Sequence, residues 1–264
     1  MKTEVRSKKK ENSNKSKQTK KKKKLKKRKK IAVTLTFIIM LLIIVGLILF
    51  SDLFSIKQII VINNFKISTQ EIIESSKLVV GNNMFKTFNT TIKSEIKTNP
   101  YIEEVQVTKK LNGDVIIDVK ERNSTYMLQN GSNYVYINNQ GYILEITENP
   151  IELPMIKGCE NQELIPGNRL NIKDLKKLST VIQIMEAAKS NGINNIIEAI
   201  DISDENNFIL EIPSEGKKVQ FGDETNINVK ILWIVDLLTR EKGIEGEIIV
   251  NVPDIKKVYF REKV

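Results

Sequence analysis

Ser94 and Lys97 are the residues whose types and spacing come closest to a catalytic motif in this sequence. They form a Ser-x-x-Lys pattern, in which a lysine can activate a serine nucleophile. Neither residue lies in a recognisable binding loop, and the surrounding sequence predicts a short surface helix. A Ser-Lys mechanism in a membrane-anchored cell-wall or processing enzyme is therefore an alternative function and not the first hypothesis.

The other reactive side chains are two acidic pairs and one thiol. Asp201 with Asp204, and Asp223 with Glu224, lie beside predicted turns, and a calcium loop would need regularly spaced ligands and a bidentate Glu. The single cysteine, Cys159, is predicted to be a small buried apolar residue. The chain has no histidine, which excludes imidazole metal sites and histidine-dependent triads. We predict no catalytic residue, metal, cofactor or small-molecule substrate.

Charge is distributed unevenly along the chain. Residues 1–30 carry 17 of the 42 basic side chains and two of the 32 acidic ones, so the rest of the chain is net negative. This basic segment has no aromatic residue or glycine-rich spacing with which to recognise a nucleic acid. We predict a disordered cytoplasmic tail that lies close to anionic lipid and binds no specific nucleic acid.

Residues 31–50 form a continuous apolar segment. They include no charged side chain and 15 Ile, Leu, Val or Phe residues, and a helix of this length spans about 30 Å, the thickness of the hydrocarbon layer. The segment is longer than a signal-peptide core, and no cleavage site of small residues follows it. Because basic residues stay on the cytoplasmic side, we predict a single-pass protein whose N-terminus is inside the cell and whose later domains are outside.

Local patterns between residues 54 and 122 predict the order strand, helix, helix, strand, strand. A strand at 59–62 precedes a capping box, in which Ser68 and Glu71 satisfy each other's backbone N–H groups. A second short helix ends before Pro100, because the residue that precedes a proline is disfavoured in the helical region.

A hairpin is predicted to close this first domain. Alternating apolar runs at 105–111 and 115–119 flank the dipeptide Asn112-Gly113. Such a dipeptide is typical of a type I′ turn, in which both central residues have positive φ.

The β-α-α-β-β order and several residues resemble the POTRA domain, in the version found in the bacterial cell-division proteins FtsQ and DivIB. The residues that carry the resemblance are Ile59-x-Val61-x-Asn63-Asn64 with Ile67-Ser68, Asn99-Pro100-Tyr101-Ile102, and Val115-x-Ile117-x-Val119-x-Glu121-Arg122. The closing pair Glu121-Arg122 is the most specific of them. The family usually has a proline near the last turn, where this chain has Asn112.

Residues 123–264 predict a larger α+β domain with a mixed or antiparallel sheet and two helices on one face. Strands are expected near 134–137, 142–146, 196–200, 208–212, 218–221, 247–252 and 257–261. One helix is capped by Asn171 and stopped by Gly192, with an apolar face formed by Leu175, Leu178, Ile182 and Met185. The second helix is expected at 226–241.

This second domain also resembles the FtsQ/DivIB family. The matching residues are Ile137-Asn138 with Gly141, and Leu153-Pro154 with Gly158. Asn138 stands where the family usually has Asp, so any role of that carboxylate's charge is lost. The resemblance covers roughly residues 20–261.

The last predicted strand is the candidate interaction site. Val258 and Phe260 are expected to face one way and Tyr259 and Arg261 the other, with three residues left to cover the strand. An open sheet edge can accept an incoming strand, although basic residues on an edge can equally protect it from aggregation. From periodicity alone, both interpretations stay open.

The resemblance implies a function for this edge. In the family it is associated with docking of coiled-coil division proteins, here FtsL-like and DivIC/FtsB-like partners, at the division septum. The chain would then be a non-enzymatic scaffold. A further possibility is the handling of secreted chains by POTRA domains of outer-membrane assembly factors, but the similarity to those proteins covers the first domain alone.

Overall fold

A computed structural model describes residues 27, 29–160, 163–254 and 257–263. Helix α1 spans Lys29–Phe50 and is long and apolar enough to cross a membrane, where the sequence predicts a membrane helix at 31–50. Its large apolar side chains are mostly exposed. The predicted basic tail, 1–30, lies almost entirely outside the described residues.

Five elements follow in the predicted order. They are β1 (Gln58–Ile62), α2 (Thr69–Ser76), α3 (Asn89–Ile96), β2 (Ile102–Lys109) and β3 (Asp114–Glu121). The three strands form a sheet in the order β1-β3-β2. Val105 and Val107 of β2 and Ile117 and Val119 of β3 are buried, as the alternation predicts.

The chain packs as two compact units. The described residues up to 60 group with 78–91 and 107–116, whereas residues 61–77 and 92–106 group with the chain from 117 onward.

The predicted capping box is half formed. Ser68 Oγ accepts a hydrogen bond of 3.1 Å from the Glu71 N–H group and caps α2. The Glu71 carboxylate does not complete the box, and instead accepts a bond of 2.8 Å from Asn99 Nδ2. Glu71 thus links the start of α2 to the turn before β2, a contact that the local pattern could not predict.

The turn between β2 and β3 differs from the predicted type I′ turn. Gly113 has a φ of 102°, but among the described non-glycine residues positive φ occurs only at Asn63, Lys77 and Asn226, so Asn112 has negative φ. The Gly113 N–H group bonds to Lys110 O at 3.0 Å. The central residues are thus Leu111 and Asn112, and Gly113 supplies the left-handed conformation of a bulged hairpin.

Glu121 and Arg122 each bind backbone and do not pair with one another. The Glu121 carboxylate accepts hydrogen bonds from the N–H groups of Phe65, Lys66 and Ile67 at 3.2, 2.7 and 3.0 Å. Arg122 donates to the carbonyls of Pro100 and Ile102 at 2.8 and 2.7 Å. The pair therefore holds the segments that precede α2 and β2 against the end of β3.

The described residues after β3 form a nine-stranded sheet and two long helices. The strands are β4 (Tyr126–Asn130), β5 (Asn133–Ile137), β6 (Ile143–Thr147), β7 (Met155–Lys157), β8 (Ala199–Asp201), β9 (Phe208–Ile212), β10 (Lys217–Gly222), β11 (Gly246–Ile249) and β12 (Tyr259–Glu262), with helices α4 (Ile172–Ser190) and α5 (Ile227–Arg240). The strand order is β12-β11-β10-β9-β8-β7-β4-β5-β6, with parallel and antiparallel neighbours. The mixed sheet agrees with the predicted α+β fold, but β4 and β7 are not among the predicted strands.

Both helices cover the same apolar core. Val181 and Ile184 of α4 and Ile231 and Ile234 of α5 are fully buried, within one cluster that includes the inward side chains of the sheet. Asn171 caps α4 as predicted, accepting a bond of 2.8 Å from the Asp174 N–H group. Of the predicted apolar face of α4, Leu178 is buried, and Leu175, Ile182 and Met185 are partly buried and pack against the same core.

The hydrogen bonds of Asn138 show how an uncharged residue can hold the turn at a position where the family usually has Asp. Asn138 is buried, and its side-chain oxygen accepts hydrogen bonds from the N–H groups of Gln140 and Tyr142 at 3.1 and 2.8 Å. These bonds close the β5–β6 turn, and an amide oxygen can accept them as well as a carboxylate can.

Replacement of Glu121 by alanine should destabilise the protein by about 2 kcal/mol, because it removes a charged acceptor shared by three backbone donors. The measurement is urea unfolding of the whole chain in detergent. Glu104→Ala is the matched control, since Glu104 is exposed and lies 3.9 Å from Lys120, and it should cost less than about 0.5 kcal/mol. Equal unfolding midpoints for the two variants would contradict this role of Glu121.

Candidate functional site at the carboxy-terminal sheet edge

Strand β12 lies at one end of the nine-stranded sheet. Strands β10 and β11 are parallel because α5 forms the crossover between them, and β12 then turns back to pair antiparallel with β11. Within the described part of the chain, no strand pairs with the other side of β12. This open side is called the carboxy-terminal edge below.

The side chains of β12 alternate as the sequence predicts. Val258, just before β12, and Phe260 are partly buried and pack against the apolar core, whereas Arg261 on the opposite face is exposed. Glu262 ends the strand on the Phe260 side and is exposed as well. The side chain of Tyr259 is 50% exposed. The strand is thus fixed to its own domain by one face and presents the other face to solvent.

The register of β12 shows which backbone groups point outward. The Lys263 N–H group donates to Glu245 O at 2.9 Å, so Lys263 and Glu245 form a hydrogen-bonded pair of the β11–β12 ladder. Along an antiparallel ladder such pairs alternate with non-bonded ones, and Phe260 and Glu262 are opposite Ile248 and Gly246 at the non-bonded positions. The N–H and C=O groups of Phe260 and Glu262 therefore point to the open side.

Gly246 on β11 and Lys217 on β10 position the ring of Phe260. A Cβ atom on Gly246 would overlap both Phe260 Cζ and the Arg261 carbonyl oxygen, so only glycine fits there. The Lys217 ammonium group lies 5.1 Å from the centre of the same ring, within the range of a cation–π contact.

Lys217 also holds the loop that leads into β11. Its side chain is buried, and its Nζ donates to the carbonyls of Glu241, Ile244 and Glu215, at 2.9 Å for Glu241 and 3.2 Å for Glu215. These carbonyls lie just after α5 and in the turn before β10, where helix and turn geometry leave acceptors unpaired. Lysine is usually exposed, so the sequence alone gave no indication of this role.

A row of charged residues of alternating sign crosses the sheet and ends at the carboxy-terminal edge. Glu211, Lys218, Glu247 and Arg261 are direct neighbours on β9 to β12, and Arg261 is ion-paired with Glu247. Their neighbours along the strands are buried or partly buried, except for the terminal Glu262, so the charged row lies on the face of the sheet opposite the core. An open groove of about 620 Å³ runs over this face.

The other reactive residues found in the sequence have local structural roles or open surroundings. Ser94 and Lys97 are both exposed, whereas a catalytic lysine needs a desolvated site. Asp223 accepts hydrogen bonds from Thr225 and from Lys230 Nζ at 2.6 and 3.1 Å. The bond from Thr225, together with Lys230, lowers the pKa of Asp223 to about 2 despite some burial.

Cys159 and the remaining acidic residues likewise do not form a reactive centre. Burial, reinforced by the negative charge of Asp174, raises the pKa of the Cys159 thiol to about 12, so the thiol is protonated at neutral pH. In the ranges that the structure describes, no three Cys, Asp or Glu side chains lie close enough together to hold a metal ion.

Comparison with known proteins places the chain among cell division proteins. The family model for the POTRA domain of FtsQ type matches residues 54–122, and the model for the C-terminal part of cell division protein FtsQ/DivIB matches residues 126–252. Strand β12 lies beyond the matched residues.

Individual relatives agree with the family models. Cell division protein DivIB of Clostridium botulinum (strain Loch Maree / Type A3) is 31% identical over 72% of this chain and 74% of its own length. DivIB of Clostridium tetani is 28% identical over 73% of each chain. Cell division protein FtsQ of Syntrophotalea carbinolica is 25% identical over 68% of this chain and 64% of its own length.

Replacement of Gly246 by alanine should displace β12, because the added methyl group overlaps Phe260 and the Arg261 carbonyl. We expect a loss of about 1–3 kcal/mol of stability and faster hydrogen exchange of the inward-pointing Lys263 amide. The control is Glu245→Ala, at an exposed neighbouring side chain, which should change stability by less than about 0.5 kcal/mol. An unchanged exchange rate of the Lys263 amide in the Gly246 variant would show that the position of β12 does not depend on glycine at this site.

Proposed function

Because this chain belongs to the FtsQ/DivIB family of cell division proteins, we propose that it is a non-enzymatic scaffold of the division septum. Helix α1 anchors it in the cell membrane, with the basic tail on the cytoplasmic side. Two extracytoplasmic domains, a POTRA domain at 54–122 and a β domain at 123–264, then recruit or stabilise other membrane proteins of the division machinery.

The observation that supports this proposal best is the open side of β12. The backbone groups of Phe260 and Glu262 point away from β11, and an incoming strand could pair with them without any rearrangement of the sheet. Because Phe260 is already seated in the core, the strand is ordered before binding, which lowers the entropy cost of association.

We assign the incoming strand to an FtsL-like or DivIC/FtsB-like coiled-coil protein, as the family resemblance implies. Such a partner and this chain would share one membrane, and a common anchor raises the effective concentration of one for the other. Modest affinity at the carboxy-terminal edge is then enough to hold the complex together.

The row of alternating charges predicts which type of side chain the partner strand carries opposite Arg261. Signs alternate from Glu211 through Lys218 and Glu247 to Arg261, so a further strand continues the pattern if it places Asp or Glu opposite Arg261. Opposite charges on directly facing positions stabilise a strand pair, whereas like charges destabilise it. The row would therefore select the partner and set its register.

Replacement of Glu262 by proline tests strand addition directly. Proline removes the outward N–H group of Glu262 and places its ring on the open side, while the inward bonds to β11 remain. We expect partner affinity to fall about tenfold or more, measured by binding of the partner's outer domain to the whole chain in nanodiscs. Glu262→Ala is the matched control, because it loses the same carboxylate but keeps the N–H group.

Wild-type affinity in both Glu262 variants, with unchanged unfolding, would show that the partner does not pair with β12. Loss of affinity in both would assign the effect to the carboxylate and not to the backbone.

Reversal of charge at Arg261 tests the proposed acidic partner residue. Arg261→Glu should weaken binding by about threefold to tenfold at low salt, and the difference should shrink as salt screens the exposed pair. Arg261→Lys keeps the charge and is the control. Equal affinities of the Glu and Lys variants at low salt would contradict an acidic residue opposite Arg261.

A further inference from the structure

The loop between α2 and α3 is fastened to the end of helix α1. Asn83 is buried, and its Nδ2 atom donates to Ile48 O at 2.8 Å and to Ser51 O at 3.1 Å. Ile48 belongs to the last turn of α1, where carbonyl groups have no partner within the helix. The Asn83 side chain therefore caps the helix that the proposed function places in the membrane.

Backbone bonds extend this attachment over several residues. The Gly81 N–H group donates to Ile56 O at 2.7 Å, and the Met84 N–H group donates to Phe54 O at 2.9 Å. The rings of Phe54 and Phe85 meet edge to face at 5.3 Å. Residues 78–88 consequently lie against the chain at the point where it leaves α1.

This loop and the end of α1 carry a group of exposed apolar side chains. Leu53 is 80% exposed and Phe88 is 74% exposed, and Val79, Val80 and Phe85 are exposed as well. We call these five residues the juxtamembrane patch. Soluble domains rarely expose so many large apolar side chains within one short segment, unless the segment binds something.

The charges around the patch favour a phospholipid surface. Lys86 Nζ lies 5.4 Å from the centre of the Phe50 ring at the end of α1, and Lys57 directly precedes β1. Asp52 is the one acidic residue in 50–57 and 78–88. Phe and Leu side chains, accompanied by basic residues, are typical of segments that lie in the membrane interface, and lysines near the surface attract anionic headgroups.

We propose that the juxtamembrane patch lies in the outer interfacial layer of the same bilayer that α1 crosses. The lipid, and not a second protein, is the occupant because the patch continues directly from the membrane helix and is held there by Asn83. The inference rests on the proposed membrane anchoring. It adds a second contact with the membrane beside α1.

Tryptophan quenching in vesicles tests this contact. The whole chain is reconstituted with Trp233 replaced by phenylalanine, and single tryptophans are introduced as Phe88→Trp, Phe37→Trp or Phe65→Trp. Phe37 lies within α1, and Phe65 is an exposed phenylalanine of the other compact unit. The vesicles contain lipids brominated near the headgroup end or near the middle of the acyl chains.

We expect the Phe88→Trp emission to shift to shorter wavelength and to lose most of its intensity with shallow bromines, and the Phe65→Trp emission to keep its intensity. Quenching of Phe37→Trp by deep bromines reports insertion of α1 independently. If Phe37→Trp is quenched but Phe88→Trp keeps its intensity as Phe65→Trp does, the proposal that the juxtamembrane patch contacts lipid is wrong. The patch would then be a surface for a partner helix. If Phe37→Trp is not quenched either, the membrane anchoring itself fails.

Discussion

The outward main-chain groups of β12, with which no other strand of the described chain pairs, are the constraint on which the rest of this structure depends. A sheet must end somewhere, and its last strand is left with donors and acceptors that only water or another strand can satisfy. Here the end is placed by the α5 crossover, which makes β10 and β11 parallel and leaves β12 to return at the edge. Loss of this arrangement would remove the proposed binding surface while leaving most of the apolar core intact.

Side-chain contacts hold β12 in place although only one of its sides is bonded to another strand of the described chain. Phe260 is held between Gly246 and Lys217, and Lys217 in turn binds the carbonyls that follow α5. A buried lysine is costly unless its charge is matched by acceptors, and three carbonyl oxygens provide them here. The same set of contacts therefore stabilises the domain and keeps β12 in the extended form that an incoming strand requires.

Much of this architecture could be predicted from local sequence patterns, because periodicity and caps are properties of neighbouring residues. The first domain's element order, the Asn171 cap and the position of the last strand all follow from such patterns. One difference is local: the type I′ pattern predicts positive φ at Asn112, whereas the turn is centred on Leu111 and Asn112 and positive φ occurs at Gly113, which forms the bulge. The other differences have longer-range causes. Local patterns predict neither strand β4 nor the backbone contacts of Lys217 and Glu121, since each depends on residues distant in the chain.

Amide hydrogen exchange at individual residues of β12 tests the central claim most directly. In the chain alone, the amides of Phe260 and Glu262 should exchange quickly, while those of Arg261 and Lys263, which bond to β11, exchange slowly. Addition of the coiled-coil partner should slow Phe260 and Glu262 to the rate of their neighbours. If Phe260 and Glu262 are already protected in the chain alone, or remain fast in the complex, the open edge is not where the partner binds.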